Sequence, residues 1–506
     1  MWSCDYGLLT ESRSAFGWSR MARALTDRWI QLGLVVLAGV GIGLAVIVST
    51  YYVDNVKLLI GLTGGVVFVF LTVRWPEFGI LCLVALLSGL ISTSWLPVLP
   101  LGPVSLNIHD VVLLLLLGLM FVRATTQRGF LLFGSPLLLP LLLFVGAVFL
   151  SAANAILIYG VNTNTVLRTV RVLMLWTAFI PTLQLVRDEK ALRRLLAGLL
   201  VFSVILLIGL LFPNKAAPLV PVEERAMAIG GQSYSGVTRV YFAGDMVLYA
   251  MIPVTLASLA LLKEGNQLWR IGLLGLLLFW AYRTFFRQYW LTLFVVCILL
   301  VGFLSSSERV RLLKRLAPGI LAVVLVIAVL MAIKPAQVER VVYVLSERLG
   351  SLLRDPIRRE SSLKWRIIET RYALRQIGSH PLLGLGLANR YRPPMEGETT
   401  FYGDWASRYV ENGYLYVAVF MGLVGLVPFL WLCAAHLLRV VLHQHEVRDE
   451  GLRATYLGFG AAFLGMVACN LATPTFVFGT RLIFFPVAMA ISEVIVRLQR
   501  EKETLP

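Results

Sequence analysis

Apolar runs of about twenty residues are the feature that most limits what this chain can fold into. They recur from Trp29 to Arg497, and about 20 helical residues cross the roughly 30 Å hydrocarbon core of a bilayer. Only 14% of the 506 residues are charged and 58% are hydrophobic, whereas soluble domains carry about 25% charged residues. Because a helix satisfies its own backbone hydrogen bonds in lipid, the sequence predicts an all-α polytopic membrane protein with about 12–14 transmembrane helices.

Fourteen apolar segments are candidate spans. They run at about 29–50, 57–74, 77–97, 108–124, 136–158, 166–186, 191–212, 241–262, 268–282, 288–304, 316–333, 411–435, 453–472 and 478–497. The predicted regions are a basic tail over 1–28, a transmembrane bundle over 29–333, an external loop with amphipathic helices over 334–410, C-terminal spans over 411–497 and a tail over 498–506. The ninth and tenth spans are the weakest pair, because only a short arginine-bearing stretch separates them.

The basic loops predict the orientation of the bundle. They contain VRATTQRG, VRDEKALRR, LLKEGNQLWR, SSSERVRLLKRLA, HLLRVVLHQHEVRDEGLR and RLQREKETLP. All of them fall on the same side as the N-terminal tail, which indicates that both termini are cytoplasmic. The connections expected outside are 98–108, 159–165, 213–240, 283–287, 334–410 and 473–477. The net charge of +17 is therefore interpreted as attraction to anionic lipid, and no nucleic-acid partner is expected.

Metal and disulfide chemistry find no support in the sequence. The five cysteines are scattered, without a CxxC or Cys/His pair, so neither a zinc site nor a disulfide framework is predicted. The sequence has no Asp-X-Asp motif, which the divalent-metal mode of nucleotide-sugar transferases would need. We therefore expect neither a metal nor a cofactor.

The first 28 residues lack the apolar core and cleavage site of a signal peptide.

Ionisable side chains near the predicted outer ends of spans are candidates for function, because a charge at membrane depth is costly. Arg168 and Arg171 share one helix face in the sixth span, where snorkelling to headgroups is the alternative. Arg239 and Asp245 open the eighth span. Six residues apart on a helix, they are not neighbours, so each needs a partner on another helix. Asp245 is alternatively a buried counter-ion to one of these arginines.

Arg283 and Arg287 lie in WAYRTFFRQYWL, between two apolar spans. Their i, i+4 spacing would aim both guanidiniums the same way, and planar donors of this kind suit phosphate oxygens. The pattern predicts a pyrophosphate between them. The alternative is an interfacial belt of arginine and aromatic side chains, since Tyr282, Tyr289 and Trp290 also belong at that depth.

The large external loop is basic and re-enters the membrane at Glu411-Asn412-Gly413. Residues 334–410 hold 13 basic and 8 acidic residues, which indicates an anion at the outer face. Within the loop, SSLKWRIIETRYALRQIG has helical spacing and ends before Pro381. A helix beginning after Glu411 would stabilise that carboxylate, and the alternative is an ordinary acidic first turn.

Two stretches of the chain resemble the O-antigen ligase/polymerase superfamily. They are WRIIETRYALRQIGSHPLLGLGLANRY and ENGYLYVAVFMGLVGLVPFLW. Together they match the family's arginine-bearing amphipathic helix, its D/H-P-hydrophobic-G-hydrophobic-G turn and its (H/D/E)-N-x-x-L motif before a Gly-Leu-hydrophobic-Gly span. The likeness covers about 330–435 well. It extends loosely to GVTRVYFAG and to the Arg283/Arg287 stretch, which is similar to the family's S-R motif.

The resemblance implies a glycosyltransferase that moves a glycan from undecaprenyl pyrophosphate to an acceptor glycan or lipid. Its active site would face the periplasm from the bacterial inner membrane. It also implies that Arg287, with Arg283, and Arg239 hold the donor phosphates, and that Arg366 matches the arginine of the amphipathic helix. Glu411 stands where lipopolysaccharide ligases have histidine. This difference favours a polymerase of O-antigen or exopolysaccharide over a ligase that modifies lipid A core.

Displacing a diphosphate requires charge neutralisation on the leaving group and a base for the acceptor hydroxyl. Glu411 is the predicted base, and Asn412 is expected to orient Glu411 or the acceptor. His380 is an alternative base, or else a helix-capping residue beside Pro381. The residues assigned supporting roles are Asp245, Arg168, Arg171 and Tyr414.

Two other classes of protein compete with a transferase. A transporter or flippase of lipid-linked glycans would carry charges through the depth of several spans and show similar halves. Here the arginines cluster near one predicted face, which favours the enzyme. A receptor or scaffold is the remaining class, and the hallmarks of peptidoglycan-type polymerases are not matched.

Overall fold

The computed structural model describes residues 55–89, 98–101, 104–127, 133–211, 223–229, 232–241, 244–284, 286–350, 361–393, 407–477 and 479–504. The predicted N-terminal tail and the first predicted span lie outside the described residues. The chain forms two compact units, Met1–Gly79 and Ile80–Pro506. In the first unit, the rings of Phe68 and Phe78 lie 6.0 Å apart between their centroids.

Helices make up most of the described chain. In chain order they are α1 (Asn55–Arg74), α2 (Pro76–Leu87), α3 (Ile108–Thr126), α4 (Leu138–Leu157), α5 (Thr163–Leu173), α6 (Phe179–Leu185), α7 (Glu189–Leu211), α8 (Asp245–Leu261), α9 (Gln267–Thr284), α10 (Arg287–Phe303), α11 (Ser306–Ile333), α12 (Pro335–Gly350), α13 (Ser361–Ser379), α14 (Gly413–His443), α15 (Glu450–Cys469) and α16 (Phe484–Thr504). Short 3-10 segments at Met174–Ala178 and Thr480–Ile483 lead into α6 and α16.

The all-α polytopic fold predicted from the apolar runs is confirmed. Among the described residues, eight helical segments are long and apolar enough to cross a membrane, the longest being Gly413–His443. Four shorter apolar helices accompany them: Thr63–Arg74, Pro76–Leu87, Asp245–Leu261 and Arg287–Phe303. The ninth predicted span corresponds to α9, which carries Arg270 and Arg283 and does not belong to either set.

Two antiparallel hairpins occupy segments that are predicted from the sequence to be connections between spans. Val98–Leu101 (β1) pairs with Val104–Asn107 (β2), and Glu223–Ile229 (β3) pairs with Gln232–Tyr241 (β4). The second hairpin was foreseeable, because QSYSGVTRVY is rich in β-branched and aromatic residues and follows Gly-Gly. The eighth span therefore begins at Asp245 and not at residue 241.

The predicted basic loops meet at one end of the second unit, which we call the basic end. Ion pairs with N···O distances of 2.6–3.4 Å join Lys502 to Glu189, Arg193 to Asp449, Arg453 to Glu308 and Lys263 to Glu450. After the first basic loop, the Phe133 amide donates to Gln184 Oε1 at 2.9 Å. These contacts agree with the alternation of spans predicted from the loops.

A broken helix shapes the opposite end. Gly422 interrupts α14 with a φ of 60°, and the turn between α13 and Asn389 places Gly384 and Gly386 at φ of 65° and 80°. Backbone groups of the two segments bind each other at 2.8–3.0 Å: Leu385 N to Val419 O, Gly386 N to Phe420 O and Leu423 N to Pro381 O. Irregular backbone is tolerated at membrane depth only where protein satisfies it, as here.

Close helix packing holds this end in place. A Cβ at Gly458 of α15 would lie 2.5 Å from the Cα of Val254 of α8, so glycine permits their approach. A core of aromatic rings lies beside α14, and the Trp176 indole donates to Phe476 O at 2.9 Å. Helices α8, α14 and α15 therefore form a rigid frame for the segments between them.

Candidate functional site

The amphipathic helix α13 and the start of α14 meet through charged side chains. Arg366, on α13, donates from Nε to Glu411 Oε2, two residues before α14 begins. The side chains are 35% and 31% exposed, so the pair lies at the rim of the packed core and remains accessible. Two sequence-predicted site residues, separated by 45 positions, are thus brought into direct contact.

A second ion pair supports the first. Glu369 lies one turn after Arg366 on α13, and its Oε1 is 3.5 Å from Arg392 Nη2. The Arg392 side chain is only 2% exposed, and its Nε donates to Tyr391 Oη at 3.0 Å. Glu369 Oε2 also accepts a 3.4 Å hydrogen bond from the Glu411 amide. Glu369 and Arg392 therefore fix the backbone that carries the Arg366–Glu411 pair.

Asn412 is the N-cap of α14. Its Oδ1 accepts from the amides of Tyr414 and Leu415 at 2.9 and 3.0 Å. This is the usual reason for asparagine at this position, because the first amides of a helix have no intrahelical partner. The cap ends the loop at Glu411 and leaves that carboxylate just outside the helix. The Tyr414 hydroxyl donates to Val467 O at 2.6 Å, which ties α14 to α15.

The loop after α15 joins three helices at this point. Asn470 accepts the Gly413 amide on its backbone oxygen at 2.8 Å. Gln288, the second residue of α10, donates from Nε2 to Thr473 Oγ1 at 2.7 Å. The starts of α10 and α14 are therefore both held by residues 470–473.

A buried carboxylate lies at the start of α8. Asp245 Oδ2 is 2.8 Å from Arg481 Nη1 and accepts the Tyr289 hydroxyl at 2.9 Å. Asp245 and Tyr289 are almost completely buried, whereas the Arg481 side chain is 31% exposed. This cluster joins the first turns of α8 and α10 to the segment before α16. A partner for Asp245 on another helix was predicted, and the alternative was a counter-ion among the arginines named from the sequence. The arginine that binds it is Arg481, which was not among them and lies in the 3-10 segment before α16.

The two charged clusters are neighbours. Cys469, at the end of α15, lies near enough to Asp245, Arg366 and Arg481 to interact with their charges. Arg481 also interacts with Tyr409, two residues before Glu411. Gln288, next to Tyr289, binds Thr473, and the Gly413 amide binds Asn470, so Glu411 and Asp245 lie around one region although 166 positions separate them in the sequence.

Helix starts make this region electropositive. Helices α8, α10 and α14 begin here and each N-terminus carries about half a positive charge, whereas α9 and α15 end nearby and each C-terminus carries about half a negative charge. Among the described residues, the two clusters and the start of α10 contribute four arginines and three carboxylates: Arg287, Arg366, Arg392, Arg481, Asp245, Glu369 and Glu411. The sum of side chains and helix termini suits an anionic ligand.

Arg283 and Arg287 are arranged differently from the prediction. Helix α9 ends at Thr284 and α10 begins at Arg287, so the two arginines lie on different helices. The i, i+4 geometry of one helix face therefore does not apply. Arg283 lies over the Phe279 ring at 6.0 Å. Arg287 precedes Gln288 and Tyr289, which reach the two clusters described above.

Arg239 lies on a strand and not on the eighth span. Its Cα pairs with that of Arg225 in the β3–β4 hairpin, five positions before Gly244. Its side chain lies outside the described residues. The prediction that Arg239 and Asp245 lie on the same helix is therefore wrong. The segment up to Tyr241 is rich in β-forming residues and pairs as a strand.

The remaining predicted residues lie elsewhere. Arg171 is 3.6 Å from Asp110, the carboxylate that caps α3, and Arg168 is exposed on α5. His380 follows the end of α13, where its Nδ1 is 2.9 Å from Ser379 Oγ and its ring contacts Tyr159. It lies 14 positions after Arg366, or about 21 Å along the helix axis. His380 therefore lies well away from the Arg366–Glu411 pair.

Sequence reasoning missed Glu369, Arg392 and Arg481. Glu369 could have been found, because it lies three positions after Arg366 on one helix face. Arg481 is flanked by apolar residues in FGTRLIFF, and an ionisable group in such a stretch is a functional signal. Nothing in the local pattern around Arg392 separates it from the other arginines of the loop.

A cavity of about 500 Å³ lies at the basic end, away from both clusters. Its lining includes Lys263, Glu308, Glu450 and Arg453. These residues form ion pairs across the cavity wall, Lys263 with Glu450 and Arg453 with Glu308. We assign the candidate site to the clusters around Glu411 and Asp245 because their charges surround several helix starts.

Comparison with known proteins gives one family. Residues 268–430 match the family model described as O-antigen ligase. The match includes Arg287, Arg366 and Glu411, whereas Asp245 and Arg481 lie outside it. No curated protein sequence gives a significant match to the chain.

Proposed function

We propose a specific reaction for this multi-pass membrane enzyme of the O-antigen ligase/polymerase type, a family whose substrates are lipid-linked glycans and their acceptors. The enzyme transfers a glycan from undecaprenyl pyrophosphate to an acceptor hydroxyl. The reaction takes place at the end of the bundle opposite the basic end, which faces the periplasm if the basic loops are cytoplasmic. It needs no metal, because arginines neutralise the leaving group.

The contact between Arg366 and Glu411 supports this reaction most strongly. It places a guanidinium, which binds phosphate oxygens, beside a carboxylate that accepts a proton. A donor diphosphate competes with Glu411 for Arg366. Binding of the donor therefore draws Arg366 to the leaving group and releases Glu411 for the acceptor.

The bond changes follow from this arrangement. The acceptor oxygen forms a bond to the anomeric carbon of the donor sugar, and its proton passes to Glu411. The bond between that carbon and the phosphate oxygen breaks, and its electron pair leaves with the diphosphate. Attack opposite the leaving group inverts the configuration at the anomeric carbon. Arg366 and Arg287 stabilise the negative charge that develops on the diphosphate.

The surface of α10 fits the lipid part of the donor. Leu291, Phe294 and Ile298 follow Arg287 at intervals of four, three and four positions, so all four lie along one helix face. The three apolar side chains are 55–65% exposed. The charged head of the carrier would lie at Arg287, and its isoprenoid chain would lie along this stripe.

Glu411 favours polymerisation of glycan repeats, because the resemblance places histidine at this position in the ligases. The second candidate is transfer to lipid A core or another acceptor, and the match to a model described as O-antigen ligase favours it. The two reactions share the donor and differ in the acceptor.

The test is incubation of purified protein with a defined undecaprenyl-pyrophosphate oligosaccharide in the presence of a chelator. A ladder of products from the donor alone indicates a polymerase, and a single addition to a supplied acceptor indicates a ligase. Loss of all transfer in chelator, with recovery on adding a divalent metal, contradicts the metal-independent mechanism. Movement of the donor across vesicles without transfer would instead indicate a flippase.

A further inference from the structure

The ion pair between Arg481 and Asp245 differs from an ordinary buried ion pair. It lies in the 3-10 segment Thr480–Ile483, directly before α16. Its Nη1 is 2.8 Å from Asp245 Oδ2, the same oxygen that accepts the Tyr289 hydroxyl at 2.9 Å. Two donors, one from α10 and one from the 3-10 segment, thus bind the same carboxylate oxygen and fix its orientation.

The exposure of the pair is one-sided. The Asp245 side chain is 3% exposed and that of Arg481 is 31% exposed. The carboxylate therefore lies behind the guanidinium, which has an accessible side. A guanidinium carries five N–H donors in a planar fork, so binding to Asp245 through Nη1 leaves it the geometry to bind a second anion.

A comparison within the chain shows what a closed ion pair looks like. Arg439 and Glu493 are 2.6 Å apart, and their side chains are 17% and 7% exposed. Both partners of that pair are largely enclosed. Because a buried ion pair contributes little net stability relative to apolar residues, stability alone is a weak reason for the Asp245–Arg481 pair.

The location of Arg481 is a second reason to assign it a role in binding. Tyr289, which shares the Asp245 carboxylate with Arg481, follows Gln288, and Gln288 binds Thr473, three residues after the Asn470 that binds the Gly413 amide. Tyr289 follows Arg287 by two positions at the start of α10. Arg481 therefore borders the same region as the groups assigned to the donor diphosphate.

We propose that Arg481 is a further binding residue for the donor diphosphate, and that Asp245 and Tyr289 are its positioning residues. The inference rests on the proposed function, since the ligand is the lipid-linked diphosphate of that reaction. Each phosphoryl group of the donor carries one negative charge. Arg366, beside Glu411, binds the phosphoryl group attached to the sugar, and Arg481 binds the one attached to the lipid.

This division predicts different kinetic effects for the two arginines. The sugar-side phosphoryl group gains charge as its bond to the sugar breaks, so Arg366 acts more strongly in the transition state and its loss lowers kcat. The lipid-side phosphoryl group keeps its charge throughout. Arg481 therefore binds the ground state and the transition state equally, and its loss raises KM with little change in kcat.

The experiment measures KM and kcat for a defined undecaprenyl-pyrophosphate oligosaccharide with wild type, Arg481→Gln and Arg481→Lys. We expect Arg481→Gln to raise KM about 10- to 100-fold, as for the loss of a hydrogen bond to a charged group. Arg481→Lys keeps the charge and the contact with Asp245 but loses the fork, so we expect about a 3- to 10-fold rise. Inhibition by inorganic pyrophosphate should weaken in parallel, and that by orthophosphate should change less.

The positioning residues give a second readout. Tyr289→Phe removes one hydrogen bond to Asp245 and leaves Arg481 in place, so we expect about a 3-fold rise in KM. The matched control is Arg439→Lys, which changes an ion pair at the other end and should leave KM within about twofold of wild type. Asp245→Asn should raise KM more than Tyr289→Phe, because it removes the charge that orients Arg481.

Wild-type KM in Arg481→Lys and Arg481→Gln overturns the inference, as does a fall in kcat with KM unchanged. If Arg481→Gln does not fold, Arg481→Lys decides by the same criterion. An inactive wild type indicates that the proposed function is wrong. An active wild type that is sensitive to Arg366→Lys and insensitive at Arg481 refutes this inference alone.

Discussion

The two ends of the bundle hold arginines in different settings. At the basic end, ion pairs such as Arg193–Asp449 and Arg500–Glu446 connect loop to helix, at 2.8 and 2.9 Å. Arg315 donates to the carbonyls of Leu259 and Leu262 at the end of α8, both at 2.6 Å. At the other end, Arg366 and Arg481 pair with carboxylates beside the N-termini of helices.

The difference lies in what the backbone contributes. Carbonyl groups at a helix end are negative and satisfy an arginine, whereas amides at a helix start are positive and add to its charge. Arg193, Arg315 and Arg500 at the basic end are therefore each satisfied by a carboxylate or by carbonyl groups, and these contacts fix the topology. The arginines at the opposite end remain electropositive as a group and can bind an anion.

Glu411→Gln gives the largest expected effect. Removing a general base lowers turnover by about 10²- to 10⁴-fold, and we expect donor binding to persist or tighten because Arg366 is released. Turnover and donor affinity are measured separately. Glu450→Gln, which breaks an exposed pair with Lys263 at the basic end, is the matched control and should stay near wild type. Full activity of Glu411→Gln would assign the base to another residue.

Arg287→Ala should lower kcat by about 10²- to 10³-fold, the usual effect of removing one donor to a developing anion. Arg287→Lys should also be impaired, because an ammonium cannot replace the planar fork. Arg283→Ala is the matched control, since Arg283 lies on α9 over the Phe279 ring. Equal losses at both positions would contradict the distinction that the break between α9 and α10 creates.

Gly422→Ala should destabilise the end opposite the basic loops by about 1–3 kcal/mol or more, because its φ is 60°. A Cβ there would also contact the Leu382 carbonyl and lie 2.7 Å from Gly384 N. Gly275→Ala, in an open stretch of α9, is the control and should be neutral or slightly stabilising. Thermal unfolding in detergent measures both variants. A stable Gly422→Ala protein would show that the break in α14 is not required.

Glu446→Gln gives the smallest expected effect, about 0.2–1 kcal/mol at neutral pH, because its pair with Arg500 is exposed. Hydrogen bonds from Arg500 and His443 lower the pKa of Glu446 from 4.5 to about 2. The contribution of the ionised Glu446 to the free energy of unfolding is therefore complete above the unfolded-state pKa of 4.5. It is lost as the pH falls towards 2. Unfolding of wild type and Glu446→Gln at neutral and acidic pH measures it. If the difference in unfolding free energy between wild type and Glu446→Gln grew in acid, this expected pH dependence would be contradicted.

The fold could be predicted from local patterns, and the site only in part. The length of the apolar segments predicted the spans, and the basic loops predicted which connections share one side of the bundle. Both properties depend on how favourably each segment is transferred between water and lipid. The β3–β4 hairpin was missed, since Arg239 and Asp245 were placed on one helix although β-forming residues precede Tyr241. The i, i+4 interpretation of Arg283 and Arg287 was wrong for a related reason: it assumed one continuous helix.

Within the site, short-range relations were accessible and long-range ones were not. Motif resemblance indicated Arg366 and Glu411 separately, but no local pattern relates positions 45 residues apart. Asn412 was expected to orient a substrate or Glu411, and the structure shows it binding the first amides of α14. Arg481 has a local signal in FGTRLIFF, but its pairing with Asp245 has none, because the two lie 236 positions apart.

Taken alone, the sequence determined that this chain is a helical membrane protein with its basic loops at one end. Those properties follow from the transfer of each segment between water and lipid, which depends mainly on local composition. The tertiary structure decided which charges face one another. Pairing between Arg366 and Glu411, or Arg481 and Asp245, depends on how distant helices pack, and packing is a property of the whole core.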